Sequence, residues 1–237
     1  MAIVQGRYGQ FMDYTVDMVF CIDATGSMED FSGKQTRIIN MVKQNAINFY
    51  VDFNKIMEEK QKKVRQLRAR IVAFRDYIAD GEYAMMVTDF FHLPQQTDEF
   101  EACINSIHAD GGGDVPEDGL EALAYAIKSK WTTEGAKTRQ VIVVWTDADA
   151  HELGFGSSSD FYPKGMPADL GELSDWWDDS DLMRQDAKRL IMFAPEAGNW
   201  KYISDNWDQA YLIPSAAGNG LAEQNYRAIL DLIANSV

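Results

Sequence analysis

A chain of 237 residues, 46% hydrophobic and 25% charged, is long enough to bury a substantial core and falls within the range of one large α/β domain. Its 37 acidic against 22 basic side chains give a formal net charge of -15, which repels nucleic acid and anionic membrane while favouring cations and basic protein surfaces. No apolar run approaches the roughly 20 residues of a membrane helix, and the N-terminal MAIVQGRYGQFMDY lacks the basic, apolar and small-residue regions of a signal peptide, so a cytoplasmic location is expected.

Residues 1–12 read as an N-terminal tail and 13–237 as a single domain. Residues 16–22 (VDMVFCI) form a nearly continuous apolar run ended by Asp23, as a strand buried on both faces of a parallel sheet reads. From about 34 to 60, Ile38, Val42, Ala46, Phe49, Phe53 and Ile56 recur every three to four residues and predict an amphipathic helix covering one sheet face. Residues 69–74 (ARIVAF) read as a second strand and 83–87 as a short one at the sheet edge. Thr97 is placed to cap a helix whose stripe is Phe100, Cys103, Ile104 and Ile107. A further helix is expected with Pro116 in its first turn and Leu120, Leu123, Ala124, Ile127 and Trp131 on its buried face.

Residues 140–145 (QVIVVW) are the most β-rich stretch and stop at Thr146-Asp147. Between about 152 and 186 the pattern lapses into Gly, Ser, Pro, acidic residues and aromatics, which reads as an insertion on the rim. Its rings, among them Phe155, Phe161, Tyr162, Trp176 and Trp177, fit either an interface or a satellite core. Residues 189–193 and 210–213 are two more short strands separated by a helix near 199–205, and a terminal helix carries Tyr226, Ile229, Leu230 and Ile233. Strands alternating with helices at this spacing predict a doubly wound α/β fold, a mostly parallel sheet with helices on both faces. Cys21, inside an apolar run, and Cys103, in a helical pattern, are too few for a disulfide framework and read as small core residues.

In an open parallel sheet, ligands bind outside the carboxyl ends of the strands where the topology switches. Three loops in such positions stand out. Asp23-Ala24-Thr25-Gly26-Ser27-Met28 sets a carboxylate and two hydroxyls on alternate residues, so that their oxygens converge. Gly111-Gly112-Gly113-Asp114-Val115-Pro116-Glu117-Asp118 places Asp114 in a tight glycine loop before a helix, and Thr146-Asp147 follows the strongest strand. Oxygen-only ligands suit a hard divalent cation such as Mg²⁺, Ca²⁺ or Mn²⁺ and not zinc or copper.

These residues resemble a known family. Asp23-x-Thr25-x-Ser27 is similar to the first segment of the metal ion-dependent adhesion site of von Willebrand factor type A domains, and Thr146-Asp147 is similar to its third. The C-terminal half, including Phe193-Ala194-Pro195, Trp200 and Ala217-Gly218-x-Gly220-Leu221, resembles an intracellular bacterial branch of the family. The resemblance implies that Asp23, Thr25, Ser27, Asp114 and Asp147 hold the cation and that another protein is the partner, reached through an oxygen ligand on the metal. The family usually has threonine where Asp114 stands; the resemblance here is to relatives bearing GGGDxPE. An extra carboxylate weakens the pull on an acidic ligand of the partner, so that ligand can be a neutral oxygen or a water.

Asp149 and His151 follow closely enough to orient the metal ligands from outside, to build a second site, or to form a general acid–base pair. His92 and His108 lack any such setting. Ser27 is not in a GxSxG context, no Walker lysine follows the glycines, and Gly154-Phe155-Gly156 is not at a strand-to-helix turn, so hydrolase, nucleotide and dinucleotide signatures are absent. A non-enzymatic, metal-dependent protein-binding scaffold is the expected function. The rivals are a metal-dependent phosphohydrolase using Asp23, Asp147, Asp149 and His151, and a purely structural metal that staples the three loops.

Overall fold

The computed structural model describes residues 12–29, 38–113, 115–135, 137–214, 230–231 and 234–235. Among these, seven strands form one sheet: β1 (Met12–Asp23), β2 (Lys62–Phe74), β3 (Met85–Val87), β4 (Phe91–Leu93), β5 (Thr138–Trp145), β6 (Lys188–Ala194) and β7 (Ala210–Pro214). The order is β3-β2-β1-β5-β6-β7; pairing is parallel from β2 through β7, while β3 and β4 both run antiparallel to β2. The helices are α1 (Ile38–Glu59), α2 (Tyr77–Asp80), α3 (Thr97–Ser106), α4 (Gly119–Ile127), α5 (Leu170–Asp178) and α6 (Gly198–Asn206).

Side chains alternate faces along a strand, and both faces here are apolar. Val16, Met18, Phe20 and Ile22 of β1 join Val141, Val143 and Trp145 of β5 in a core shared with α1 and α3. Val19 and Cys21 join Ile142 and Val144 in a second core with α4, α5 and α6. The fold is therefore the doubly wound α/β class expected. The order of the sheet reverses at β1, whose neighbours are β2 and β5, so the loops after β1 and β5 flank the switch point.

Several elements differ in detail from the sequence reading. Thr97 does not cap α3: its hydroxyl donates to the Pro94 carbonyl, and Gln96 holds the cap position because the turn 94–96 already carries the chain into the helix. Pro116 lies outside α4, since Glu117 is drawn into an isolated parallel bridge with Ala150 and the helix begins only at Gly119. The 152–186 segment contains α5, signalled by Asp169, whose carboxylate accepts the Glu172 amide, and by Leu173 and Trp177 on one buried stripe. Its rings divide: Trp177 is fully buried and stacks on Trp207 at 5.4 Å, while Phe155 and Phe161 are exposed. Of the terminal helix, Leu230 and Ala234 are buried in the α1-side core; Tyr226, Ile229 and Ile233 lie outside the described residues.

Trp200 of α6 fixes the start of α4. Its indole N–H donates to the Ala148 carbonyl at 3.0 Å, in the loop after β5, and its ring lies where a Gly119 side chain would stand, within 2.7 Å of an added Cβ. Gly119→Ala is accordingly expected to destabilise the protein by about 1–3 kcal/mol through overpacking, read as a lower denaturation midpoint at unchanged m-value.

Candidate metal centre

Asp23 ends β1 and is fully buried. One carboxylate oxygen, Oδ1, accepts the Thr25 amide at 2.9 Å and the Thr25 hydroxyl at 2.6 Å; the other, Oδ2, accepts the Thr146 hydroxyl at 2.6 Å. Thr25 Oγ1 lies 3.1 Å from Ser27 Oγ, which donates to Asp147 Oδ1 at 2.8 Å. A continuous chain of side-chain oxygens thus joins the loop after β1 to the loop after β5. Asp114 lies outside the described residues, so the second predicted segment is known here only through its glycines and through Glu117.

The glycine loop is pinned from both sides. The Gly26 amide donates to the Gly111 carbonyl at 3.1 Å, and the Gly112 amide donates to Asp80 Oδ2 at 3.0 Å. Gly111 and Gly112 have φ of +71° and +78°, the left-handed region that favours glycine. A Cβ on Gly112 would press on Thr25 and on Glu117 Oε1 at 3.1 and 3.0 Å. The loop therefore passes between the β1 loop and Glu117, and only a residue without a side chain fits there.

Glu117 is the residue that sequence reasoning left unassigned. It is 3% exposed, and its Oε2 has no hydrogen-bond partner among the described residues. Its backbone is locked, with its N–H on the Asp149 carbonyl at 3.0 Å and its C=O accepting the His151 amide at 2.8 Å. A carboxylate so placed costs free energy unless a cation or proton meets it. Burial, then the charges of Asp23, Asp76, Asp118 and Asp80, push its pKa up to about 9. Asp23 is pushed up to about 6 by burial and then by Asp147, and burial also raises Asp147. The signal for Glu117 was in the sequence, in its place within Asp114-Val115-Pro116-Glu117, but nothing there showed that its side chain would be sealed from water.

Arg75, also missed, is the cation that organises this end of the sheet, yet it spends its donors on main chain: Nε on the Ala24 carbonyl at 3.0 Å, Nη1 on Tyr83 and Nη2 on His108, both at 2.8 Å. Asp149 and His151 are placed apart from the oxygen chain. Asp149 Oδ1 accepts the Ala150 amide and, at 3.2 Å, the Asn199 amide at the start of α6. His151 Nε2 is 3.3 Å from Asp76 Oδ2, and its ring stacks on Phe155 at 3.8 Å. Asp76 in turn accepts the Ile78 and Ala79 amides, which caps α2.

Among the described residues, no three His, Cys, Asp or Glu side chains form a ready cage. A cation at this site would have to share Asp23 and Asp147 with the hydroxyls of Thr25 and Ser27, and with water or the Glu117 oxygen. That all-oxygen set fits a hard divalent ion. Cys21 offers no softer alternative, because it is fully buried and its thiol is pushed up to about 12.

The sequence profile of the von Willebrand factor A domain matches residues 17–156, a span that contains all three loops. The chain is 27% identical over 152 residues to the alpha-protein kinase vwkA of Dictyostelium discoideum; the match covers 64% of this chain and 21% of that protein, so it spans about a fifth of the relative's length. Among solved structures, the minor pilin PilB of Streptococcus sanguinis superposes with a TM-score of 0.58 at 14% identity, covering 98% of this chain and 63% of the pilin. A von Willebrand factor type A protein from Catenulispora acidiphila gives 0.54 at 15%, covering 93% and 42%. The pilus adhesin SpaC of Lactobacillus rhamnosus GG gives 0.52 at 11%, covering 93% and 30%. At these identities the structures attest the fold.

Glu117 supplies a pH test. Its folded pKa stands above the unfolded value, so without metal its contribution to stability is intact below about pH 4.5 and is lost as pH rises toward about 9. Glu117→Gln should remove that slope, gaining on the metal-free parent by about 1 kcal/mol per pH unit between pH 5 and 8 and by nothing below pH 4.5, as measured by chemical denaturation in chelator.

Proposed function

The chain belongs to the von Willebrand factor A domain family, and from that premise we propose that it is a protein-interaction module whose binding depends on a divalent cation held by Asp23, Thr25, Ser27 and Asp147. The observation that carries this reading is the oxygen chain from Asp23 through Thr25 and Ser27 to Asp147, with 2.6–3.1 Å between neighbours. Glu117 adds a buried oxygen across Gly112 from Thr25, and Asp114 belongs to the same proposed set. Mg²⁺, Ca²⁺ and Mn²⁺ all suit these donors. The ion's charge would offset the crowded carboxylates, and a coordination position left to the partner would make its oxygen ligand part of the site.

The surroundings suit binding more than turnover. Ile78, Tyr83, Val115, Phe155 and Phe161 are exposed on α2, the loops that follow it and the insertion, where rings can anchor a partner. The phosphohydrolase rival needs Asp149 and His151 as its acid–base pair, but one holds the start of α6 and the other is engaged with Asp76 and Phe155. The GGGDVPE loop resembles the intracellular bacterial branch, and Cys21 and Cys103 are both free thiols, which supports a scaffold or signalling adaptor in the cytoplasm. The likeness to pilus proteins carries no extracellular role to this chain. Among the described residues no helix is long and apolar enough to cross a membrane.

Calorimetric titration of the metal-stripped protein should show saturable binding of at least one of the three cations, lost in Asp23→Ala and in Asp114→Ala. Thr146→Val, which removes only the hydroxyl on Asp23 Oδ2, should weaken binding roughly 10–100-fold. Partner capture should need the metal and survive Asp149→Asn and His151→Gln. No binding to the parent protein would overturn the reading and leave the fold alone; capture that persists in chelator would reduce the metal to a structural staple.

A further inference from the structure

α4 is only nine residues long, and it covers the C-terminal half of β2 on one face of the sheet, where Val72 and Phe74 lie in its core. Toward the N-terminal half the same face continues as Arg70 and Arg68, two residues apart and so on one side of the strand. Past the end of α4 the chain supplies Lys128 and Lys130, which with Asp89, Phe90 and His92 complete the lining of a cleft of about 380 Å³. Arg70 and Arg68 precede Phe74, the register partner of Asp23, by four and six residues, which sets them roughly 13–20 Å along the strand from the candidate metal centre.

The charges in this cleft are not balanced. Asp17, fully buried, holds Arg68 through Nε at 2.8 Å and Nη2 at 2.7 Å, and Arg68 Nη2 also donates to the Lys130 carbonyl. Arg70 donates to neutral groups, Nε to the Thr88 carbonyl at 2.7 Å and Nη1 to Ser129 Oγ at 2.6 Å; among the described residues no carboxylate lies within ion-pair distance of it. Burial lowers its pKa, against the weaker opposing influence of Cys21 and then Asp89. The Lys128 ammonium is engaged with the insertion, 3.4 Å from the centre of the Trp176 ring and donating to the Gly165 carbonyl, and Lys130 is exposed. With Arg68 neutralised by Asp17 and the Lys128 ammonium held at the insertion, Arg70 and Lys130 line the cleft with Asp89 and His92, a local excess of positive charge on a chain of net charge -15. Arg68 Nη1 and Arg70 Nη2 make no hydrogen bond among the described residues, so each guanidinium keeps donors for a ligand.

We propose that this cleft binds a phosphate monoester, with Arg70 and Lys130 meeting the dianion and Arg68 adding a donor. Guanidinium geometry matches phosphate oxygens in pairs, and charge-assisted hydrogen bonds are the strong ones. The volume exceeds that of a bare phosphate and admits the group that carries it, against the Phe90 ring that already lies 4.3 Å from the Arg68 guanidinium.

The test titrates the full chain, in chelator so that no metal competes, with inorganic phosphate and with O-phosphoserine at constant ionic strength, read by calorimetry and by the arginine side-chain N–H resonances. Saturable binding should weaken about tenfold in Lys130→Glu, an exposed position that spares folding, and by a similar factor in Arg70→Gln. It should be unchanged in Asp23→Ala. Tighter binding of phosphoserine marks an esterified ligand, and equal binding marks the free anion as the ligand in place of the ester. Absence of saturation, or binding that ignores both variants, means an adventitious ion only and overturns the site.

Discussion

Asp23, Asp147 and Glu117 are drawn out of water at the carboxyl end of a parallel sheet, and among the described residues no side-chain cation is spent on them. Arg75, placed among the same loops, gives its guanidinium to three carbonyls. What offsets the carboxylates instead is a set of hydroxyl and amide donors: Thr25 and Thr146 on Asp23, Ser27 on Asp147. Hydroxyls are donors that suit the proposed metal, because each rotates to donate to a carboxylate or to present a lone pair to an ion. An arginine in their place would stabilise the empty protein and exclude the ion.

Such a concentration of charge requires a rigid frame, since each carboxylate would otherwise swing into solvent. The frame is apolar. Phe20 packs against Phe49, Phe100 and Trp145 under the β1 loop, and Trp145 stacks on Phe193 under the β5 loop. On the other face Trp200 ties the Ala148 carbonyl to α6 and abuts Gly119. Asp76, Asp80 and Asp149 are spent on amides around the rim, which fixes α2, the glycine loop and the start of α6 without entering the oxygen chain. The acidic residues near the site therefore divide into those that fix the rim through backbone amides and those that lie in or beside the chain of hydroxyls, and their positions in the sequence do not separate the two kinds.

That division marks the limit of what could be read from the residues alone. The long helices and every strand but the three-residue β4 were legible because they rest on periodic burial: the runs at 16–22 and 140–145 lie inside β1 and β5, and the stripe of α1 is buried as its spacing implies. Asp23, Thr25, Ser27 and Asp147 were legible because they follow strands closely and local geometry brings their oxygens together. Glu117 was not, because its burial comes from a long-range bridge to Ala150 and from the glycine loop lying over it. Arg75 escaped notice for the same reason, its three acceptors being spread over residues 24 to 108. Asp149 and His151 looked like partners of the metal loop by proximity in sequence, yet the turn after Asp147 carries their side chains to α6 and to Asp76. Pro116 and Thr97 misled as helix signals because a bridge and a turn, both tertiary features, set where those helices begin.

The charge at the proposed metal bears on what can complete its coordination. Asp23, Asp147 and Glu117 when ionised carry three negative charges against two on a divalent ion, and Asp114 of the same proposed set would add a fourth. An acidic ligand from a partner would meet a site with no positive charge to spare, in a chain whose net charge is -15. A neutral oxygen, whether a carbonyl, a hydroxyl or a bridging water, avoids that repulsion and still gains the coordination bond. The same field draws basic surfaces toward the rim, where Asp80, Glu82 and Asp160 line a shallow hollow beside Tyr83 and Phe161. Affinity at such a site would come from aromatic and cationic contacts around the metal, and the ion itself would fix geometry more than it attracts charge.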